Sequence, residues 1–183
     1  MVNQREYLIL DTCALLNLIA TGVIQEILSV IAQNSIICVL VQNESRHLRK
    51  EDDISEKENV DLEPLINSKV IQLCDFETPD EQQLFVNLAV DLDDGEAMSV
   101  AIALSRNWYL ATDDKPARRL FTENSHNNRL LTSTSDLIKE WAEKENIDDL
   151  AIKPILLKVE RKASFRPPKS DVNLQWWNYI LSK

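Results

Sequence analysis

Four stretches of this chain put a carboxylate where an element begins or ends. Leu8-Ile9-Leu10 runs into Asp11, and Tyr109-Leu110-Ala111-Thr112 runs into Asp113 and Asp114. Glu44 lies near the start of an expected polar helix, and Glu96 follows the Gly95 turn in the first turn of another. In an open parallel sheet, sites form beyond the carboxyl ends of the strands, so acids ending two parallel neighbours would meet. Crowded carboxylates repel one another, and burial raises the cost of their charge. A divalent cation removes both penalties, and hard oxygen ligands suit Mg²⁺ or Mn²⁺. Two such ions a few ångströms apart can activate a water, bind a phosphate and stabilise a leaving oxygen. That is phosphodiester hydrolysis without a protein nucleophile. Each acid also has a purely structural reading. Asp11, Asp113 and Asp114 could be cap and turn residues, Glu96 a partner of the helix dipole, and Glu44 part of a solvated face.

The elements that must position these acids are short. Tyr7–Leu10 reads as a buried strand, followed by a helix with Ala14, Leu15, Leu18 and Ile19 at helical spacing and a stop at Gly22. Ile24, Ile27, Leu28 and Ile31 repeat the helical period. Ile36–Val41 is strand-like at its start, Gln42–Arg49 reads as a polar helix holding Glu44, and Lys50–Asn59 as a charged loop. Val60–Asn67 is a weak helix and Val70–Leu73 a strand. Thr78-Pro-Asp-Glu81 is a capping box with proline at the first helical position. Asp91–Gly95 reads as a turn, and Ala97, Val100, Ala101 and Leu104 as the inner stripe of the next helix. Tyr109–Ala111 is a strand, Pro116 opens a helix, Leu130–Thr132 is a last strand, and Ser135 caps a helix over Leu137, Ile138 and Trp141. Short strands alternating with helices predict an α/β fold with a mainly parallel sheet.

Gly occurs only twice in 183 residues, which argues against a Gly-rich phosphate loop. No apolar run approaches the roughly 18 residues needed to cross a membrane, and the apolar stretch near the start is too short for a secretory signal; the expected location is cytoplasmic. Cys13, Cys38 and Cys74 lack metal-ligand spacing and read as buried free thiols. The net charge of −10 is unevenly spread: residues 151–183 carry seven Lys and Arg against Glu160 and Asp171. Such a tail could touch phosphates or dock on the acidic body. After residue 147 the character changes to a basic amphipathic segment, Leu150–Ala163, then Arg166-Pro167-Pro168 and Trp176-Trp177-Asn178-Tyr179. The expected organisation is a domain over 1–147 and a basic, aromatic C-terminal extension over 148–183. Those aromatics could stack RNA bases or pack against the body.

These motifs resemble those of PIN domains. LILDTCALLNL is similar to the first motif, an apolar strand ending in Asp-Thr before an apolar helix. VQNES resembles the second, DDGEAMSVAIAL the Gly-Glu-Ala motif of one subgroup, and YLATDDKPARR the Thr-x-Asp motif before a basic helix. Their order matches over about residues 5–135. The resemblance implies a PIN-like three-layer α/β fold, a parallel sheet between helices, and Mg²⁺- or Mn²⁺-dependent ribonuclease activity. It makes Asp11, Glu44, Glu96 and Asp114 the catalytic metal ligands, with Asp113 as helper. Thr12 and Thr112 would orient the acids by hydrogen bonds, and Lys115, Arg118 and Arg119 would face either the RNA backbone or solvent. Many small relatives are VapC-type toxins, often homodimers, neutralised by a small antitoxin protein. An inactive PIN-like module that binds RNA or protein is the competing expectation. A receiver-type phosphorylation switch fits poorly, because it wants a Lys ending a later strand and the Lys here directly follows Asp114.

Overall fold

The computed structural model describes residues 4–44, 47–50, 53 and 55–183. In chain order the elements are β1 (Arg5–Leu10), α1 (Thr12–Ala20), α2 (Ile24–Ile31), β2 (Ala32–Cys38), α3 (Val39–Asn43), β3 (His47–Arg49), β4 (Lys57–Asn59), α4 (Glu63–Asn67), β5 (Gln72–Cys74), α5 (Pro79–Leu88) and α6 (Asp94–Arg106). There follow β6 (Tyr109–Ala111), α7 (Lys115–Asn124), β7 (Leu131–Thr132), α8 (Thr134–Lys144), α9 (Asp149–Lys158), a π turn (Val159–Ala163) and α10 (Leu174–Ser182).

Five strands form one sheet in the order β5-β2-β1-β6-β7, with every neighbouring pair parallel. The expected α/β fold with helices flanking a parallel sheet is therefore present. Leu8, Ile9 and Leu10 of the central strand are fully buried. That explains why β1 reads as an apolar run rather than an alternation, since both faces of a parallel sheet are covered. The chain builds outward from β1 through β2 to β5, then returns to the other side of β1 for β6 and β7. The strand order reverses at β1 and β6, the place where open α/β sheets form a crevice outside the carboxyl ends of their strands.

One expectation fails between residues 36 and 59. The polar helix over Gln42–Arg49 does not form. The helix is the apolar α3, and Glu44 is its C-cap residue in an extended conformation, φ −68 and ψ 150. His47–Arg49 is instead a strand, paired antiparallel with Lys57–Asn59. The run from Ile36 is strand only at its start, as expected: the ladders on both sides of β2 end by Cys38, so the chain leaves the sheet and coils. The hairpin lies outside that sheet and, of its six residues, buries only Leu48, so no apolar alternation marks it. Residues 45, 46, 51, 52 and 54 of these two stretches lie outside the described residues. A smaller correction concerns α8: Ser133, not Ser135, caps it, in a reciprocal box with Asp136. Two serines two residues apart compete for the cap, and only Ser133 has an acid three residues on.

The C-terminal segment packs on the body. Ile152, Leu156, Val159, Trp177 and Ile180 join the same buried cluster as the sheet. The Trp177 indole N–H donates to Glu160 Oε1 at 2.9 Å, and its ring meets Phe165 edge-on with centroids 5.9 Å apart. Asp171 accepts from the Ser135 hydroxyl at 2.9 Å, and Asn173 donates to Asp136 at 2.7 Å. Of the three terminal aromatics, Trp177 is fully buried, Trp176 is half-buried and Tyr179 is exposed. A fully buried Trp is worth about 3–5 kcal/mol against Ala. Trp177→Ala should therefore lower unfolding stability by roughly that amount in a denaturant titration, with Tyr179→Ala near neutral. Equal, small effects would show that the segment is not part of the cooperative core.

Candidate active site

The pairing of β1 with β6 sets the centre of the crevice. Leu10 lies opposite Ala111, and the Asp11 N–H donates to Ala111 O at 3.1 Å. Asp11 and Thr112 thus leave the sheet side by side. Asp11 is buried at 1% exposure and caps α1, its Oδ1 accepting from Ala14 N at 2.7 Å. The Cys13 thiol donates to both Asp11 oxygens, at 3.1 and 3.2 Å. Burial pushes the Asp11 carboxyl up to about 7, against hydrogen bonds from Thr112, Ala14 and Cys13 that favour its charge; Asp113 adds repulsion.

Glu96 comes from the first turn of α6. Burial, and then the charges of Asp114, Asp11 and Asp93, push it up to about 7. Three acids from different elements therefore share one electrostatic field with Glu96. Asp114 caps α7, with Oδ1 accepting from Ala117 N at 2.8 Å, while its own N–H donates to the Thr112 hydroxyl at 3.1 Å. Thr112 so connects to both Asp11 and Asp114.

Asp113 turns away into its own net of donors. It accepts from Asn17 Nδ2 at 3.0 Å, from Thr134 N at 3.1 Å and from the Thr134 hydroxyl, and its N–H donates to Cys13 Sγ at 3.4 Å. Its carboxyl is raised by burial despite those bonds. Glu44 approaches from the other side: Thr12 donates its hydroxyl to Glu44 Oε2, and the carboxylate lies against Gly95. Glu44 thus touches the sequence neighbours of both Asp11 and Glu96.

The sequence profile of the PIN-domain family matches residues 7–170. The chain belongs to the PIN-domain family. No curated protein and no solved structure matches it. PIN domains are generally nucleases that use divalent metal ions, and the matched region runs past the 147 boundary expected from composition into the C-terminal segment.

The basic residues of this PIN domain have separate duties. Arg118 Nη1 donates to Thr112 O at 2.7 Å and Thr132 O at 3.1 Å, bracing the ends of β6 and β7. Arg119 pairs with Glu123 at 3.1 Å on the surface, and Lys115 is exposed at the start of α7. Three contributors to the crevice, Cys13, Asn17 and Thr134, are not among the expected site residues. Asn17 carried a signal, being polar on the buried face with Ala14 and Leu18. Cys13 looked like an ordinary buried thiol, and Thr134 looked like one more residue of a helix start.

The donor set suits a hard divalent cation in kind: it is all carboxylate oxygen, and its mutual repulsion is what such an ion would relieve. Among the described residues, no three acids, His or Cys are placed to hold an ion as they stand. Two of the carboxylates cap helices instead, each using Oδ1.

Asp11 and Glu96 are raised from 3.8 and 4.5 to about 7, so the unfolded chain releases these protons first as pH rises. Their contribution to stability is complete below about pH 4 and is lost as pH climbs through about 7. With chelator present, the thermal midpoint of the wild type should fall between about pH 5 and about pH 8 relative to that of Asp11→Asn, which keeps a capping side chain. Parallel pH profiles in scanning calorimetry would show that Asp11 ionises normally.

Proposed function

We propose that this PIN domain is an Mg²⁺- or Mn²⁺-dependent endoribonuclease. The observation that carries the reading is the emergence of Asp11 and the Thr112–Asp114 turn side by side from the paired ends of β1 and β6, with Glu96 of α6 close enough to feel both charges. Such an arrangement is costly without a cation and suited to one. Asp11, Glu96 and Asp114 would hold it, with Glu44 as the fourth ligand. The cation supplies positive charge and water activation at a scissile phosphate. Thr112 fixes the two strand-end acids relative to each other. Asp113, held by Asn17 and Thr134, keeps the start of α8 against the crevice. Lys115, exposed beside Asp114, is the cation best placed to meet a phosphate backbone, since Arg118 and Arg119 are occupied. As the toxin of a toxin–antitoxin pair, the chain would halt growth through RNA cleavage, and a co-expressed short genetic neighbour would relieve it.

A PIN-like binding module without cleavage is the second reading. It is favoured by the absence, among the described residues, of three side chains already placed around one ion. Calorimetric titration with Mn²⁺ separates the two, since only the nuclease requires uptake. Mn²⁺-loaded wild type should cut RNA, chelator should stop it, and Asp11→Asn should slow it by roughly two orders of magnitude or more, the loss of several kcal/mol of charge stabilisation. A broad panel of structured and single-stranded RNA left intact by the loaded protein would sink the nuclease reading.

A further inference from the structure

The sequence contains only two glycines, and they do different work. Gly22 has a positive φ of 76 and ends α1. Gly95 has no such need: it sits inside the first turn of α6, where helix propensity favours Ala. Its surroundings supply the reason. A Cβ at position 95 would lie 1.9 Å from Glu44 Oε1, 2.8 Å from Cδ and 3.3 Å from Oε2. Oε1 of Glu44 occupies the volume of the missing methyl, and the rest of the carboxylate lies tight against it. From there it accepts the Thr12 hydroxyl, one residue from Asp11, while Gly95 is one residue from Glu96.

We propose that Gly95 is a positioning residue for Glu44: the absent side chain is the slot that seats this carboxylate between α1 and α6. Among the described residues, the side chain of Glu44 takes one hydrogen bond, from the Thr12 hydroxyl, and the slot supplies its second constraint. Glu44 is the C-cap of a five-residue helix, in extended backbone, immediately before two residues outside the described part of the chain. The slot and the Thr12 hydroxyl fix its two ends. The clash from a Cβ falls on the tip of a flexible side chain rather than on backbone, so Ala at this position leaves the fold intact and displaces the carboxylate. The inference rests on the metal-site reading for its consequence, but not for the packing itself.

Two measurements test it. In chelator, Gly95→Ala should unfold at a temperature no lower than wild type. Thr12→Val should lower the midpoint in the wild-type background but not in Gly95→Ala, where the Thr12–Glu44 bond is already lost. In calorimetric titration, Gly95→Ala should bind Mn²⁺ at least tenfold more weakly than wild type. Glu44→Asp, one methylene shorter, should restore much of that affinity when combined with Gly95→Ala, though alone it weakens binding. Equal costs of Thr12→Val in the two backgrounds would overturn the proposal, as would Gly95→Ala binding Mn²⁺ like wild type. A double variant no better than Gly95→Ala would also overturn it. Should the wild type take up no Mn²⁺, the nuclease reading falls, and the chelator experiment alone decides the packing role.

Discussion

The parallel ladder between β1 and β6 is the constraint from which the rest of the site follows. Leu10 beside Ala111 obliges Asp11 and the Thr112–Asp114 turn to emerge together, at the place where the strand order reverses. Neither strand could shift by one residue without sending its buried side chains to the opposite face. Once the acids are together, burial and repulsion act on them whether or not they are used. The elements that follow are arranged to hold them: α1 and α7 begin on Asp11 and Asp114, and α6 brings Glu96 in its first turn.

Most of that arrangement was legible in the sequence because it rests on local signals. Apolar runs ending in acids mark β1 and β6, Pro116 marks the start of α7, and helical periodicity marks α1, α2 and α6. Glu44 was legible as a candidate and illegible in its setting. Its position depends on where β2 loses its neighbours, on a hairpin with one buried residue, and on a contact with Gly95, 51 residues further along the chain. The same holds for Asp113: its partners Asn17 and Thr134 come from two other helices, and only the fold joins them. Gly95 itself was visible as a turn residue, but the helix already includes it, and its true constraint is a side chain distant in sequence.

The C-terminal segment was ambiguous between touching phosphates and docking on the acidic body. Part of its charge serves docking: Lys162 meets Glu58 of the body at 3.1 Å, whereas Arg166 meets Glu160 within the segment itself at 3.5 Å. Exposed pairs of this kind contribute little, so the anchors are the buried apolar groups, Leu156, Val159 and Trp177. The Trp177–Glu160 bond then ties α10 to the π turn, which itself packs on α1. The extension thus supports the back of the helix whose first residue follows Asp11.

The capping role of Asp11 and Asp114 does not compete with a role in chemistry. A cap uses one carboxylate oxygen on a backbone N–H and works equally well in water. A residue present only to cap a helix would not need burial at 1% exposure beside two other acids, because that burial raises its carboxyl to about 7 and works against its own charge. An Asn or Ser would cap as well at no electrostatic cost. The cap therefore explains how Asp11 is oriented, and leaves its charge unexplained. On the proposed nuclease reading, a cation shared with Glu96 and Asp114 would account for that charge, since it would turn the mutual repulsion of the buried Asp11 and the half-buried Glu96 and Asp114 into the reason for their placement.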